Sequence, residues 1–369
     1  MYNLLRKIFA VFLFVLISVS FFGCSKNEDS KGVNNKIDAS KLNCLIDLHI
    51  HLDGAISVDS AKKLAKLQNI SIPENDEELK KIMTVSPDCK DLNEFLEKFS
   101  FPCSLIQTKE GIKKSVENLL KELESEGLIY AEIRFAPQKS KEKGLTQEEV
   151  VLSAIEGLKS SKIGANLILC CMREKDNQKE NIETVELANK YLGKGVCAVD
   201  LAGAEALFPT KDFKYIFDLA RERGVPFTIH AGEADGPESV QTALNFGAKR
   251  IGHGVRSYEK EELIRTLASK NIPLELCPTS NFKTCIFEDI SKYPIWKFLS
   301  FGVPVTINTD DPGIEGTTLK KEWQLLIDAF DLKKEEVKNI LLNSVKYSFA
   351  SEDVKESLKN KIEENFKNI

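Results

Sequence analysis

Eight short apolar runs, separated by amphipathic stretches, limit most strongly how this chain can fold. They are Cys44–Leu52, Tyr130–Pro137, Ala165–Met172, Val196–Gly203, Pro226–Glu233, Arg250–Gly254, Ile272–Pro278 and Val303–Asp311. Uninterrupted apolar runs bounded by Gly and Pro suit strands buried on both faces of a parallel sheet. Helical periodicity fills most of the gaps, at Ser115–Ser125, Gln147–Ser160, Asn181–Tyr191, Lys211–Arg223, Pro237–Phe246 and Glu259–Ser269. Strands alternating with helices predict an α/β chain folded as a (β/α)8 barrel. Residues 55–129, between the first two runs, exceed a single crossover, so extra helices are expected there, placed to cover the barrel mouth.

Such barrels carry their sites at the C-terminal ends of the strands. Seven of the eight runs end there in polar motifs: His49/His51, Arg134, Asp200/Gly203, His230/Glu233, His253, Cys277–Asn281 and Asp310/Asp311. Only Ala165–Met172 lacks one, being followed directly by Arg173.

The chain has 369 residues and a net charge of -5. It contains no long basic tract, which argues against a nucleic-acid partner. Its N-terminus reads separately from the fold. Arg6 and Lys7 precede an apolar run, Ile8 to Phe22, and Gly23-Cys24 follows. A basic segment, a short apolar segment and a small residue at a cleavage point make a secretory signal. The position of Cys24 resembles a bacterial lipoprotein signal, in which the cysteine is lipidated; Phe21 departs from the usual aliphatic residue. The expected division is a signal at 1–23, a polar linker at 24–41 and a barrel at 42–369. An uncleaved anchor and an ordinary secretory signal are the alternatives, and all three place the barrel outside the cytoplasm. Of the other eight cysteines, most lie in apolar runs, where a thiol behaves as a small hydrophobe. Cys89 and Cys103 are the one candidate pair for a disulfide.

Only four histidines occur, and each lies in a strand-end motif. His49 and His51 stand two apart, so on a strand both imidazoles face one side. His230 is followed by Gly232 and Glu233; the glycine lets the chain leave the strand sharply, and Glu233 offers an acid/base group. His253 is flanked by glycines. Asp310 and Asp311 close the last run, and strand alternation aims them at different partners. Each motif has a plain structural reading alone, as an edge-strand pair, a helix-capping acid or an Asp-Asp-Pro-Gly turn. Together, three histidines and a carboxylate suit catalytic zinc, with iron or manganese as lesser options. The set points to a metal-dependent hydrolase or deaminase. Leu92, Phe95, Leu96 and Phe99 fall on one helix face, which suits core packing or a hydrophobic lid.

Taken together, the motifs resemble the adenosine deaminases of the metal-dependent amidohydrolase barrel type. The matching stretches are Asp47–Ile56, Tyr130–Pro137, Leu169–Arg173, Asp200–Glu205, His230–Glu233, Gly252–Gly254, Cys277–Asn281 and Asn308–Pro312, in family order. The resemblance implies one zinc per chain, held by His49, His51, His230 and Asp310. It implies that Glu233 gives a proton to purine N1, that His253 positions the attacking water, and that Asp310 also hydrogen-bonds that water. His51, Asp53, Gly203 and Asp311 would meet the substrate: Asp53 the ribose 5′-hydroxyl, the Gly203 backbone N3, and Asp311 N7. Phe95 and Phe99 would gate the site. The expected reaction converts adenosine, and 2′-deoxyadenosine, to inosine and ammonia, for nucleoside salvage outside the cytoplasm, with membrane attachment through a lipid on Cys24. Free-adenine enzymes of this group tend to have Glu where this chain has Asp53. Ala204 departs from the Asp common in the family. A deaminase of adenine or of a modified adenosine, and an inactive nucleoside-binding lipoprotein, are the alternative readings. Barrels with two metals bridged by a carboxylated lysine are disfavoured, since no Lys ends Val196–Gly203.

Overall fold

In the computed structural model, residues 37–86 and 88–369 are described. The expected signal at 1–23 and Cys24, the expected lipidation site, lie outside the described residues. The eight runs form eight strands: β1 (Leu45–His51), β2 (Leu128–Phe135), β3 (Gly164–Met172), β4 (Val196–Ala202), β5 (Thr228–Ala231), β6 (Arg250–His253), β7 (Leu274–Leu276) and β8 (Val305–Ile307). All pair in parallel, in the orders β1-β2-β3-β4 and β5-β6-β7-β8. Backbone contacts join the two sheets at both seams. Val199 bridges Phe227, and its N–H donates to the Pro226 carbonyl at 3.1 Å. Ile50 bridges Asp310; the Asp310 N–H donates to His49 and the His51 N–H to Asp310, both at 2.8 Å. The second seam is therefore made by residues of the candidate site itself, and the fold is the expected (β/α)8 barrel.

Local chemistry starts and stops the helices between strands. Helix Gln147–Leu158 begins with a capping box between Thr146 and Glu149. Helix Pro237–Phe246 has Pro near its first turn and ends at Gly247 with φ 94°. The long first connection holds five helices: Val58–Gln68, Asp76–Met83, Leu92–Leu96, Ser100–Ser104 and Lys109–Ser125. Among the described residues no helix is long and apolar enough to cross a membrane.

Within the stretch expected to be linker, Ile37 and Ala39 are buried in the main core, and the Ala39 N–H donates to Gln324 Oε1 at 3.0 Å. Apolar side chains this close to the barrel dock on it instead of trailing in solvent. Cys89 and Cys103 are not bridged. The Cys89 thiol faces the Asp91 carbonyl within an apolar cluster with Val85, Leu92 and Phe95, whereas the Cys103 thiol faces Asp53 Oδ2 at 3.6 Å in the barrel mouth.

The barrel interior is polar below the mouth. Glu132, Arg134, Asp200, Arg250 and Glu275 are fully buried and joined across the strands by ion pairs. Buried charges persist only when paired and hydrogen-bonded. At this network's edge the end of helix Lys334–Tyr347 and the chain after it pack in: Arg250 donates to the Tyr347 carbonyl and lies 4.0 Å from the centroid of the Phe349 ring.

Candidate active site

β1 and β5 deliver the imidazoles that meet. His49 Nε2 lies 3.0 Å and His51 Nε2 3.2 Å from His230 Nε2. Asp310 Oδ1 lies 3.1 Å from His49 Nε2 and 3.3 Å from His51 Nε2. Three ring nitrogens and a carboxylate oxygen thus lie close together, donor types matched to zinc or a similar borderline cation. The set whose ligand atoms all lie within 4.8 Å of one another, though, is His49, His230, Asp310 and His253; it leaves out His51 and takes in His253. His253 Nε2 contacts the other Asp310 oxygen and Glu233 Oε2, each at 3.6 Å. His253 therefore faces the group that would work on substrate, while His51 shares the Asp310 oxygen used by His49.

The outer nitrogens are held too. Glu275 Oε2 lies 2.8 Å from His49 Nδ1. Asp200 Oδ2 lies 2.8 Å from His230 Nδ1, off the ideal hydrogen-bond direction. A carboxylate on the outer nitrogen fixes a ligand histidine's tautomer and leaves its other nitrogen free to bind. Burial pushes His51, His230 and His253 below the ordinary imidazole value, which keeps them neutral. His49 runs the other way: burial and Arg134 depress it, but Asp310 and Glu275 outweigh them. On Asp310, burial opposes ionisation, yet His49 and His253 hold its carboxyl well below the usual range.

Glu233 follows a turn that needs glycine. Gly232 has φ 71°, and a Cβ there would meet Val240 Cγ2 at 2.4 Å. Burial first, then the charges of Asp310 and Glu205, push the Glu233 carboxyl well up. The shift favours the protonated form, the one able to donate. Asp311 is raised in the same way, by burial and then by Asp310 and Asp53.

Strand alternation misdirects the acid pair: it predicts opposite faces for Asp310 and Asp311, but both line the same cavity. β8 ends at Ile307, and Asp310 has φ 68°, in the left-handed region, so the alternation no longer applies. His253 is left-handed as well, at φ 55°. Non-glycine residues held there cost energy that the surrounding seam hydrogen bonds must offset. Gly54 makes room for Asp311: a Cβ on it would lie 1.7 Å from Asp311 Oδ1.

These groups line a cavity of about 490 Å³. His51, Asp53, Gly203, Glu233, His253, Asp310 and Asp311 all border it, as do Phe95 and Phe99 from the long connection. The two phenyl rings lie 6.1 Å apart, centroid to centroid, and Phe95 is buried. One wall is apolar and the floor carries hydrogen-bonding groups, which suits a flat heterocycle with ring nitrogens. Ala204 lies on the wall as well.

Several partners escaped the sequence reading. Glu275 and Glu132 sit inside apolar runs, where a lone acid in a buried strand was the available signal. Arg173, after the one run without a terminal motif, is buried and donates to the His230 carbonyl at 2.5 Å and the Phe208 carbonyl at 2.8 Å. Glu205 accepts the N–H groups of Gly232, Glu233, Ala234 and Asp235 at 2.8–3.0 Å. Glu315, buried beside Asp311, has neither carboxyl oxygen hydrogen-bonded among the described residues, and burial raises it well above its usual value. No local pattern marks it.

A family model described as adenosine deaminase matches residues 44–365. An adenosine deaminase of Haemophilus ducreyi is 47% identical over 323 residues, covering 85% of this chain and 94% of that protein. One from Clostridium acetobutylicum is 40% identical over 324 residues, covering 86% and 96%. Among solved structures, an adenine deaminase from Arthrobacter aurescens superposes with a TM-score of 0.80 at 25% identity, covering 88% of this chain and 99% of that one. By the extent of the family match and the identity to these relatives, the chain belongs to the adenosine deaminase family, enzymes of the metal-dependent amidohydrolase type.

Proposed function

We propose that this protein hydrolytically deaminates adenosine, and 2′-deoxyadenosine, to inosine and ammonia with one zinc ion per chain. The observation that carries this reading is the cluster of His49, His51, His230, His253 and Asp310 beside Glu233, whose carboxyl burial pushes up. His49, His51, His230 and Asp310 would hold the zinc, which supplies a water activated for attack at neutral pH. His253 and Asp310 would orient the attacking water toward C6, and His253 would take one of its protons. Glu233 would donate a proton to N1 as C6 accepts the oxygen; the proton held by His253 would then pass to the 6-amino group so that the C6–N bond breaks and ammonia leaves, and the water's second proton would restore Glu233. The raised Asp311 carboxyl donates to N7, an acceptor on the purine edge. The Gly203 backbone meets N3, Asp53 the ribose 5′-hydroxyl, and Phe95 and Phe99 close over the base.

Two observations favour the nucleoside over its relatives. Asp53, not Glu, lines the cavity. The basic side chains on its wall are few: Arg173 is tied to backbone carbonyls, and Lys139, paired with Glu174 at the exposed rim, is the cation left for a 5′-phosphate. Rates with adenosine, 2′-deoxyadenosine, adenine and AMP test the assignment; faster turnover of adenine or AMP than of adenosine would reject it.

The N-terminal pattern supports a lipid anchor on Cys24 and action outside the cytoplasm, in nucleoside salvage. Incorporation of labelled fatty acid into the full chain, abolished in Cys24→Ala, tests this; equal labelling of both would reject it.

A further inference from the structure

The metal-facing histidines are not oriented independently. Asp200 Oδ2 contacts the outer nitrogen of His230, and Glu275 Oε2 that of His49. One side chain reaches both carboxylates. Arg134 Nη1 donates to Asp200 Oδ2 at 2.8 Å, and Arg134 Nη2 donates to Glu275 Oε2 at 2.8 Å. The same Nη2 donates to the Leu48 carbonyl, one residue before His49, at 2.6 Å. All three side chains are fully buried. We propose that Arg134 is a positioning residue whose guanidinium, bridging Asp200 and Glu275, sets the metal affinity of the site. The proposal rests on the metal reading above.

The guanidinium fork sets its two terminal nitrogens at a fixed spacing, so one planar group fixes the positions of both carboxylates and, through them, of both imidazoles; a lysine ammonium is a point charge on a flexible stem and sets no such spacing. The hydrogen bond to Leu48 also ties the clamp to β1 itself, so the guanidinium fixes the backbone that carries His49 as well as the ring.

Outer-shell partners of ligand histidines typically contribute about 10–100-fold in metal affinity. The test is zinc affinity of the full-length protein by competition with a chelator, alongside circular dichroism and thermal unfolding. Arg134→Lys should keep the fold and bind zinc about 10–100-fold more weakly. At saturating zinc it should recover much of its turnover, with KM for adenosine unchanged, because Arg134 does not line the cavity. Wild-type affinity in a folded Arg134→Lys would overturn the proposal. If that variant fails to fold, Asp200→Asn and Glu275→Gln, near-isosteric with the parent residues, read the same linkage: each should weaken zinc about tenfold or more, and unchanged affinity in both would overturn it. A wild-type protein that binds no zinc would instead overturn the metal reading, so the two failures are distinguishable.

Discussion

Glu205 and Glu233 are joined through the backbone: the Glu205 carboxylate accepts the Glu233 N–H at 3.0 Å, while the Glu233 carboxyl lies 3.6 Å from His253 Nε2. The charge of Glu205 also helps to keep Glu233 protonated. One acid thus holds the turn that carries another and tunes it.

Glu205→Gln therefore carries two expected effects. The Gly232–Asp235 turn loses its carboxylate acceptor, and hydrogen bonds to a charged group contribute about 1.5–3 kcal/mol, so denaturant unfolding should show a loss of that order. The alkaline fall of kcat should move to lower pH, since a raising charge is gone. An unmoved profile would mean that Glu205 is only structural.

The pH dependence of the native protein follows from Glu233. Its carboxyl is raised by burial and by neighbouring acids, and the donor form is the protonated one. Below the raised value Glu233 carries its proton and supports turnover; as pH rises through it the proton is lost. kcat for adenosine should accordingly fall on the alkaline side. A kcat that climbs steadily through alkaline pH would remove Glu233 as the donor.

Gly54→Ala should be costly despite its small size. The new methyl would start 1.7 Å from Asp311 Oδ1, so Asp311 must turn away. Overpacking of this kind costs typically about 1–3 kcal/mol. KM for adenosine should rise about tenfold, the size of one lost hydrogen bond. Steady-state kinetics check this, and an unchanged KM would show that Asp311 does not contact the substrate.

Asp53 is expected to recognise the ribose end. Asp53→Asn should raise KM for adenosine and leave KM for 5′-deoxyadenosine nearly unchanged, because that analogue lacks the partner hydroxyl. Equal loss with both nucleosides would move Asp53 from recognition to support of the pocket.

How much was readable in the residues follows from where each signal lives. Strands such as β1 and β4 are buried on both faces, so the sequence shows them as apolar runs. His49 and His51 were legible because period two places both on one side, and Gly232 because a strand must turn before Glu233. The direction of Asp311 was not legible, since it depends on the left-handed backbone at Asp310. Arg173 and Glu315 acquire their settings from contacts distant in sequence. The Arg134 clamp was half visible: Arg134 ended a run, but its partners Asp200 and Glu275 come from strands that only the closed barrel brings together.

The most direct measurement is conversion of adenosine to inosine by the zinc-loaded wild-type protein and by Glu233→Gln, with zinc content determined in both. The wild type should turn adenosine over with one ammonia released per inosine. Glu233→Gln should keep its zinc and lose about 10²–10⁴-fold in kcat, as removal of a general acid does. A zinc-loaded wild type that leaves adenosine untouched, or a Glu233→Gln protein as fast as the wild type, would contradict this reading.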